Sequence, residues 1–125
     1  MLLVKENHHI VEFKCFTFGP IQVLYADIEC ALSVNNVVRF ICVYRPPNSD
    51  MMSTLSLLEA LETHFAPYTC DKPVVVMGDF NLTKIDWSVP CPTPNHTTAD
   101  VELLLSSQRS GFKQLCQRTI TILQI

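Results

Sequence analysis

The sequence has no long hydrophobic run and no cluster of like charges. Its longest aliphatic stretches, such as Val74-Val75-Val76-Met77, are far shorter than the roughly 20 apolar residues of a membrane-spanning helix. Nine Lys and Arg residues against twelve Asp and Glu residues give a net charge of −3, without a basic run that would follow a phosphate backbone. We therefore expect no membrane segment, and the charge alone does not indicate nucleic-acid binding.

Patterns typical of secretion and of zinc binding are also missing. Charged residues and two histidines, within Lys5-Glu6-Asn7-His8-His9, interrupt the apolar N-terminus before a signal peptide could form. The six cysteines include no Cys-x-x-Cys pair. We expect reduced and mostly buried thiols in a nuclear or cytoplasmic protein, and disulfides only in the alternative case of a secreted one.

The apolar residues that are present suffice for one folded domain. Of the 125 residues, 48% are hydrophobic and 17% are charged, and the mean hydropathy is +0.22. This composition is unlike that of disordered chains, and the length excludes two full domains.

The first half of the chain predicts a β-hairpin and a helix. Residues 21–30 and 37–44 are rich in β-branched and aromatic residues, and the segment 33–36 between them has the composition of a tight turn. After two prolines, Ser49 or Asp50 is placed to cap a helix that ends at the next proline. Four apolar residues recur at helical spacing along it: Leu55, Leu58, Leu61 and Phe65.

The second half predicts a buried strand and a second helix. Residues 74–77 form a wholly apolar, β-branched run, which is typical of a central strand buried on both faces. Three prolines make residues 90–98 a surface loop, and a capping pattern before an apolar stripe predicts a helix over residues 99–109. The tail, residues 112–125, is apolar and strand-like. This order of elements predicts an α/β fold, in which strands this apolar need layers on both sides.

One group of polar residues follows the predicted buried strand, in Gly78-Asp79-Phe80-Asn81. In an extended backbone, residues two apart point the same way, so Asp79 and Asn81 would face one cleft. A carboxylate that orients or deprotonates water, beside an amide that bonds a developing phosphorane oxygen, suits hydrolysis of a phosphate ester. The alternative is that the glycine, aspartate and asparagine form only a turn.

A second polar group ends the hairpin, in Val43-Tyr44-Arg45-Pro46-Pro47. The Tyr44 hydroxyl and the Arg45 guanidinium are both good hydrogen-bond donors to phosphate. The alternative is a half-buried tyrosine at a strand end beside a solvated arginine.

The two groups, with a helix between them, form a specific pattern. It reads Val-Tyr-Arg-Pro-Pro-Asn-Ser-Asp from Val43 and Val-Met-Gly-Asp-Phe-Asn-Leu from Val76, with Ile85-Asp86-Trp87 close behind. From about Leu2 to Leu115, the chain resembles the endonuclease/exonuclease/phosphatase family, most closely the endonuclease domain of non-LTR retrotransposon reverse-transcriptase polyproteins. The resemblance implies part of a four-layer α/β sandwich, with two packed mixed sheets and outer helices, that cleaves phosphodiesters with a divalent metal.

The resemblance also assigns roles to the matching residues. Asp79 would orient or activate the attacking water, Asn81 would contact the scissile phosphate, and Tyr44 would donate a hydrogen bond to a phosphate oxygen. Arg45 is a candidate contact to the nucleic-acid backbone, with a surface ion pair as the alternative. Trp87 is a candidate stacking residue, with packing inside the protein as the alternative.

Parts of the family pattern have no counterpart in this chain. Family members carry an Asn and a metal-binding Glu upstream, and an Asp-His pair downstream. Neither Glu6 nor Glu12 matches, because both precede the hairpin too closely, and no histidine falls at the downstream position. Residues 1–125 are therefore interpreted as an incomplete domain that lacks the N-terminal metal-ligand strands and the C-terminal Asp-His segment, and no metal ligand is assigned.

The resulting hypothesis is a fragment of an endonuclease whose parent protein nicks DNA with Mg²⁺ during retrotransposition. Its partners would be DNA and the remainder of a reverse-transcriptase polyprotein. Because metal and acid-base effects each account for rate factors of roughly hundreds or more, we expect weak or no activity from this chain alone. An uncovered inner sheet face would favour aggregation or pairing with another chain. The alternatives are a non-catalytic remnant of a degenerate retroelement and a phosphatase of the same superfamily.

Overall fold

The computed structural model describes residues 2–30, 37–63, 72–82, 85–86, 91–92, 98–109, 113–114 and 121–123. Strands and helices alternate through these segments. In chain order they are β1 (Ile10–Phe18), β2 (Ile21–Glu29), β3 (Val37–Tyr44), α1 (Met51–Thr63), β4 (Val74–Asp79), β5 (Ile85–Asp86), β6 (Cys91–Pro92), α2 (Thr98–Arg109), β7 (Lys113–Gln114) and β8 (Thr121–Leu123).

The described strands form one mixed sheet and a small ribbon. The sheet has six strands in the order β1-β2-β3-β4-β8-β7, and β5 pairs with β6. β3 and β4 are parallel, and α1 connects them, as a parallel pair requires. The predicted α/β fold is confirmed. Within the described segments there is no second sheet packed face to face with the first, so the predicted four-layer sandwich is not shown.

The local sequence patterns located most of these elements. The predicted hairpin is the antiparallel pair β2–β3, although its turn lies outside the described residues. β4 has partners on both sides, β3 and β8, and its first three residues are buried, which confirms the predicted central strand. The predicted second helix corresponds to α2. β1 was not predicted, because its alternation of charged and apolar residues leaves both of its faces largely exposed.

Helix α1 begins at a capping aspartate. Both carboxylate oxygens of Asp50 accept hydrogen bonds from Ser53, one from the backbone N–H at 2.8 Å and one from the hydroxyl at 2.7 Å. Leu58 and Leu61 are buried as predicted. Leu55 is 41% exposed, and Leu57, which was not predicted to face the core, is fully buried. The predicted apolar stripe is therefore rotated, because the crossover from β3 to β4 fixes which side of the helix meets the sheet.

The core lies between α1 and one side of the sheet, which we call the helix face. Alternate residues of the central strands point to this side. They are Ile21, Val23 and Tyr25 on β2, Ile41 and Val43 on β3, and Val74 and Val76 on β4. We call the other side the opposite face, where four apolar residues are only half-buried: Leu24, Phe40, Cys42 and Met77.

An ion cluster lies at the edge of the core on the helix face. The Asp27 carboxylate, 2% exposed, accepts hydrogen bonds from Arg39 Nε at 2.7 Å and Arg39 Nη2 at 2.8 Å. Lys72 Nζ lies 3.2 Å from the same carboxylate. Burial disfavours the charged carboxylate, but the hydrogen bonds and charges of Arg39 and Lys72 outweigh it and lower the pKa of Asp27.

Three cysteines in the described part of the chain are free thiols. Cys30 and Cys42 are half-buried, whereas Cys15 is exposed, so the prediction of mostly buried thiols is wrong for Cys15. Neither helix in the described segments has the length and apolar character needed to cross a membrane.

Candidate active site

Tyr44 and Asp79 lie directly opposite each other at the ends of two parallel strands. Tyr44 is the last residue of β3 and Asp79 the last of β4, and the strand register pairs them. Both follow the alternation that places Cys42 and Met77 on the opposite face. Asp79 is exposed, and Tyr44 is 47% exposed. Since neighbouring strands are about 4.8 Å apart, the phenol and the carboxylate can reach one ligand.

Gly78 allows β4 to approach β3 closely just before Asp79. Its φ of +141° is one that residues with a side chain rarely adopt, and a Cβ at this position would overlap the carbonyl oxygen of Val43. Glycine is therefore required for the strand register that brings Asp79 beside Tyr44.

The chain turns sharply after Asp79. Asn81 has a φ of +49°, and its backbone N–H donates a hydrogen bond to Asp79 Oδ1 at 3.0 Å. The Asn81 side-chain Nδ2 donates to the carbonyl oxygen of Arg45 at 2.7 Å, which fixes the amide at the end of β3. The prediction that an extended backbone orients Asp79 and Asn81 is wrong, because an Asx turn relates them. The turn nevertheless holds the Asn81 side chain against the backbone of Arg45, the residue that follows Tyr44.

Arg45 lies inside the fold. It is 4% exposed, and its Nε donates to Thr54 Oγ1 at 3.2 Å while Nη1 donates to the Phe80 carbonyl oxygen at 3.1 Å. The Arg45 backbone N–H also bonds the carbonyl oxygen of Asp79 at 2.8 Å. Both sequence-based interpretations placed this guanidinium at the surface, and its burial corrects them. Arg45 instead joins α1 to the ends of β3 and β4.

A row of polar side chains continues from Tyr44 across the sheet. Thr17 on β1 is opposite Gln22 on β2, and Gln22 is opposite Tyr44. Both added residues are exposed, and together with Tyr44 and Asp79 they border a groove of about 570 Å³. Sequence reasoning missed Thr17 and Gln22 because their position depends on strand register. The one available signal was a polar residue between apolar neighbours at the start of a predicted strand.

Two thiols also border this groove, those of Cys15 and Cys42. Burial raises the pKa of the Cys42 thiol. Cys42 is therefore protonated at neutral pH and is a poor nucleophile.

Trp87 and the four histidines lie away from the groove or outside the described residues. Trp87 belongs to the latter group, as do His64 and His96. His8 and His9 are exposed just before β1, and both approach Glu29 at the far end of β2. None of the described histidines reaches the groove.

A divalent metal does not fit the described residues by themselves. They contain no group of three or more His, Cys, Asp and Glu side chains placed to hold an ion. Glu12 bonds Lys14 at 2.8 Å on the helix-face side of β1. In the described part of the groove lining, Asp79 is the one acidic residue, so these residues offer Mg²⁺ a single carboxylate, and water and phosphate oxygens would have to supply its other ligands.

Comparison with known families places this site in a defined context. A family model described as endonuclease-reverse transcriptase matches residues 38–122, from β3 into β8. The matched segment contains Tyr44, Asp79 and Asn81. Comparisons with curated proteins and with solved structures gave no match.

Proposed function

This chain belongs to the endonuclease-reverse transcriptase family, and we propose that its groove takes part in cleaving phosphodiester bonds of DNA for a retroelement protein. The observation that carries the proposal is the register of β3 and β4, which pairs Tyr44 with Asp79. The turn after β4 adds Asn81 to the pair. DNA and the remainder of a reverse-transcriptase polyprotein are the proposed partners.

In this proposal Asp79 acts on the attacking water. One carboxylate oxygen is held by the Asn81 backbone N–H at 3.0 Å, which restricts rotation of the side chain. The carboxylate then orients a water molecule toward phosphorus and accepts its proton as the new P–O bond forms. The P–O bond to the leaving sugar oxygen breaks in the same displacement, and that oxygen takes a proton from solvent. A positioned general base of this kind typically contributes a factor of about 10² to 10⁴ in rate.

Tyr44 and Asn81 are the proposed hydrogen-bond donors to the phosphate. The Asn81 amide nitrogen carries two hydrogens, so its bond to the Arg45 carbonyl oxygen fixes the amide and leaves one N–H for a ligand. The Tyr44 hydroxyl supplies a second donor from the neighbouring strand. Donors that are fixed in advance stabilise the negative charge that develops on the phosphorane oxygens.

The remaining chemistry is proposed for the complete domain. A four-layer sandwich would cover the half-buried apolar residues of the opposite face with a second sheet. Mg²⁺ is retained only as the cofactor of that complete domain, because Asp79 alone does not form a site for it.

A plasmid-nicking assay tests the proposed roles. Supercoiled plasmid is incubated with a high concentration of the chain, in Mg²⁺ and in a chelator, and conversion to the open circle is followed over hours. We expect slow nicking by this chain that is lost in Asp79→Ala and reduced in Asn81→Ala and Tyr44→Phe. Met52→Ala, an exposed change on α1, serves as the matched control and should nick like the wild type.

Two outcomes contradict the proposal in different ways. Equal rates for the wild type and all three site variants would remove the roles of Asp79, Asn81 and Tyr44. No nicking by the wild type above a protein-free control, in Mg²⁺ or in chelator, would favour the second candidate, a non-catalytic remnant.

A further inference from the structure

β1 is an edge strand with an open outer side in the described part of the chain. It ends the sheet order and pairs with β2 alone. Alternate backbone N–H and C=O groups of an edge strand point away from the sheet and can pair with another strand. A bulge between Ile10 and Glu12 interrupts the start of β1, and residues 12–18 form a regular ladder with β2.

The side chains of β1 combine exposed apolar groups with one ion pair. Phe13 is 65% exposed on the opposite face, and Ile10 and Val11 are also exposed. Glu12 and Lys14 flank Phe13 on the other side of the strand, where their charged atoms are 2.8 Å apart. The segment Glu12-Phe13-Lys14 is therefore an apolar residue between opposite charges.

We propose that two copies of this chain associate by antiparallel pairing of their β1 strands, centred on Phe13. A two-fold axis perpendicular to the sheet places Phe13 opposite Phe13 of the second copy. The same axis places Glu12 of each copy opposite Lys14 of the other. Each charge then has an opposite charge beside it in its own strand and another across the new pair, an arrangement that stabilises antiparallel strands.

The charges select this register over its neighbours. Centring the pair on Lys14 or on Glu12 puts like charges directly opposite each other, which is destabilising. Centring it on Cys15 gives a longer regular ladder, but it places Glu12 opposite Phe18 and Lys14 opposite Phe16. Both charged side chains then lose contact with water without gaining an oppositely charged partner across the new pair. Pairing centred on Phe13 continues with Cys15 opposite Val11, at the bulge.

The charge order also favours a second copy as the occupant. Read in the reverse direction, Glu12-Phe13-Lys14 presents a lysine, a phenylalanine and a glutamate, which complements the original order. A partner strand of unrelated sequence would have to supply the same alternation. An identical chain supplies it by symmetry, as isologous interfaces do.

Sedimentation equilibrium of the 125-residue chain tests the proposal. We expect a monomer–dimer equilibrium whose dissociation constant rises about tenfold or more in Glu12→Lys and in Lys14→Glu, since each change makes two cross-strand pairs repulsive. The double variant Glu12→Lys/Lys14→Glu should dimerise like the wild type. An equimolar mixture of the two single variants should form a heterodimer, because the opposite charges then face each other again.

Matched controls and a second measurement keep the test decisive. Glu6→Lys and Lys5→Glu make the same charge changes just outside the strand and should not alter the dissociation constant. Circular dichroism establishes that each variant is folded, and the double variant, which keeps an ion pair within the strand, carries the test where a single variant unfolds. A monomeric wild type overturns the proposal. So does association that is equal in all variants, which is the result expected if the apolar opposite face binds instead.

Discussion

The buried guanidinium of Arg45 donates a hydrogen bond to the carbonyl oxygen of Phe80, 35 positions away in the sequence. This bond connects the two polar motifs, because Arg45 follows Tyr44 in one motif and Phe80 lies between Asp79 and Asn81 in the other. The backbone of Arg45 adds two more links, to the Asp79 carbonyl oxygen and the Asn81 side chain. One residue therefore fixes the three groups proposed to act on phosphate without itself lining the groove.

Replacing Arg45 should destabilise the fold strongly. In Arg45→Ala the Phe80 carbonyl oxygen loses the guanidinium donor and Thr54 Oγ1 loses its bond to Arg45 Nε, which we expect to lower the free energy of unfolding by about 2–4 kcal/mol. Arg109→Ala, which removes an exposed ion pair on α2, is the matched control and should cost about 0–1 kcal/mol. Urea unfolding measures both changes, and equal midpoints would contradict the structural role of Arg45.

Gly78 is predicted to tolerate no side chain. Gly78→Ala places a Cβ against the backbone carbonyl of Val43 at a φ of +141°, so β3 and β4 must separate. We expect a loss of more than about 2 kcal/mol in the free energy of unfolding. Gly19→Ala is the graded comparison, because its Cβ meets the movable side chain of Ser53, and it should cost about 1 kcal/mol. A smaller effect at Gly78 than at Gly19 in denaturant titrations would contradict the close approach of the strands.

The pH dependence of stability should report the buried Asp27 carboxylate. The pKa of Asp27 is lower in the folded chain than in the unfolded chain, where it is about 3.9. The stability that the charged carboxylate contributes is therefore fully present above the unfolded pKa and is lost as the pH falls through the folded pKa. In Asp27→Asn this contribution is absent, and Arg39 and Lys72 lose their charged partner. At neutral pH we expect the variant to be less stable by on the order of 3 kcal/mol.

The difference in unfolding free energy between wild type and Asp27→Asn should shrink as the pH falls below about 3.9, the pKa of aspartate in the unfolded chain. Unfolding free energies of the two proteins, measured from about pH 7 down to about pH 2, should converge at the acid end. Glu6→Gln, in the exposed turn before β1, should leave the wild-type curve unchanged. Parallel curves for wild type and Asp27→Asn over the whole range would exclude Asp27 as the source of acid sensitivity.

Local patterns were sufficient for the elements whose signals are short-range. The β-branched and aromatic composition of β2, the apolar run of β4 and the Asp50 cap of α1 lie within a few residues of the structures they specify. The pairing of Tyr44 with Asp79 was predictable only in outline. Two strand ends joined by a helix bring their last residues to one edge of a parallel sheet, but the register that matches them depends on Gly78.

Features set by long-range contacts were missed. Arg45 follows an exposed tyrosine and precedes two prolines, so nothing nearby in sequence shows that α1 will cover its guanidinium. One interpretation gave Asn81 an extended backbone, but the turn that follows Asp79 agrees with the alternative, which rested on the turn-favouring residues of this segment. Thr17 and Gln22 are ordinary polar residues until the register places them beside Tyr44.

Gln22 gives the final prediction, because it extends the polar row from Tyr44 across the groove. If DNA lies along this row, Gln22→Ala removes one hydrogen bond and should raise the dissociation constant for a labelled duplex by about twofold to tenfold. Gln108→Ala, the same change at an exposed position on α2, is the matched control and should bind like the wild type. Fluorescence anisotropy at about physiological ionic strength is the appropriate measurement, since salt screens the repulsion between DNA and a chain with a net charge of −3. Tyr44→Phe should weaken binding on its own and less so when combined with Gln22→Ala, because neighbouring contacts to one strand are not additive. Equal affinities for the wild type and both groove variants would place DNA elsewhere on the molecule.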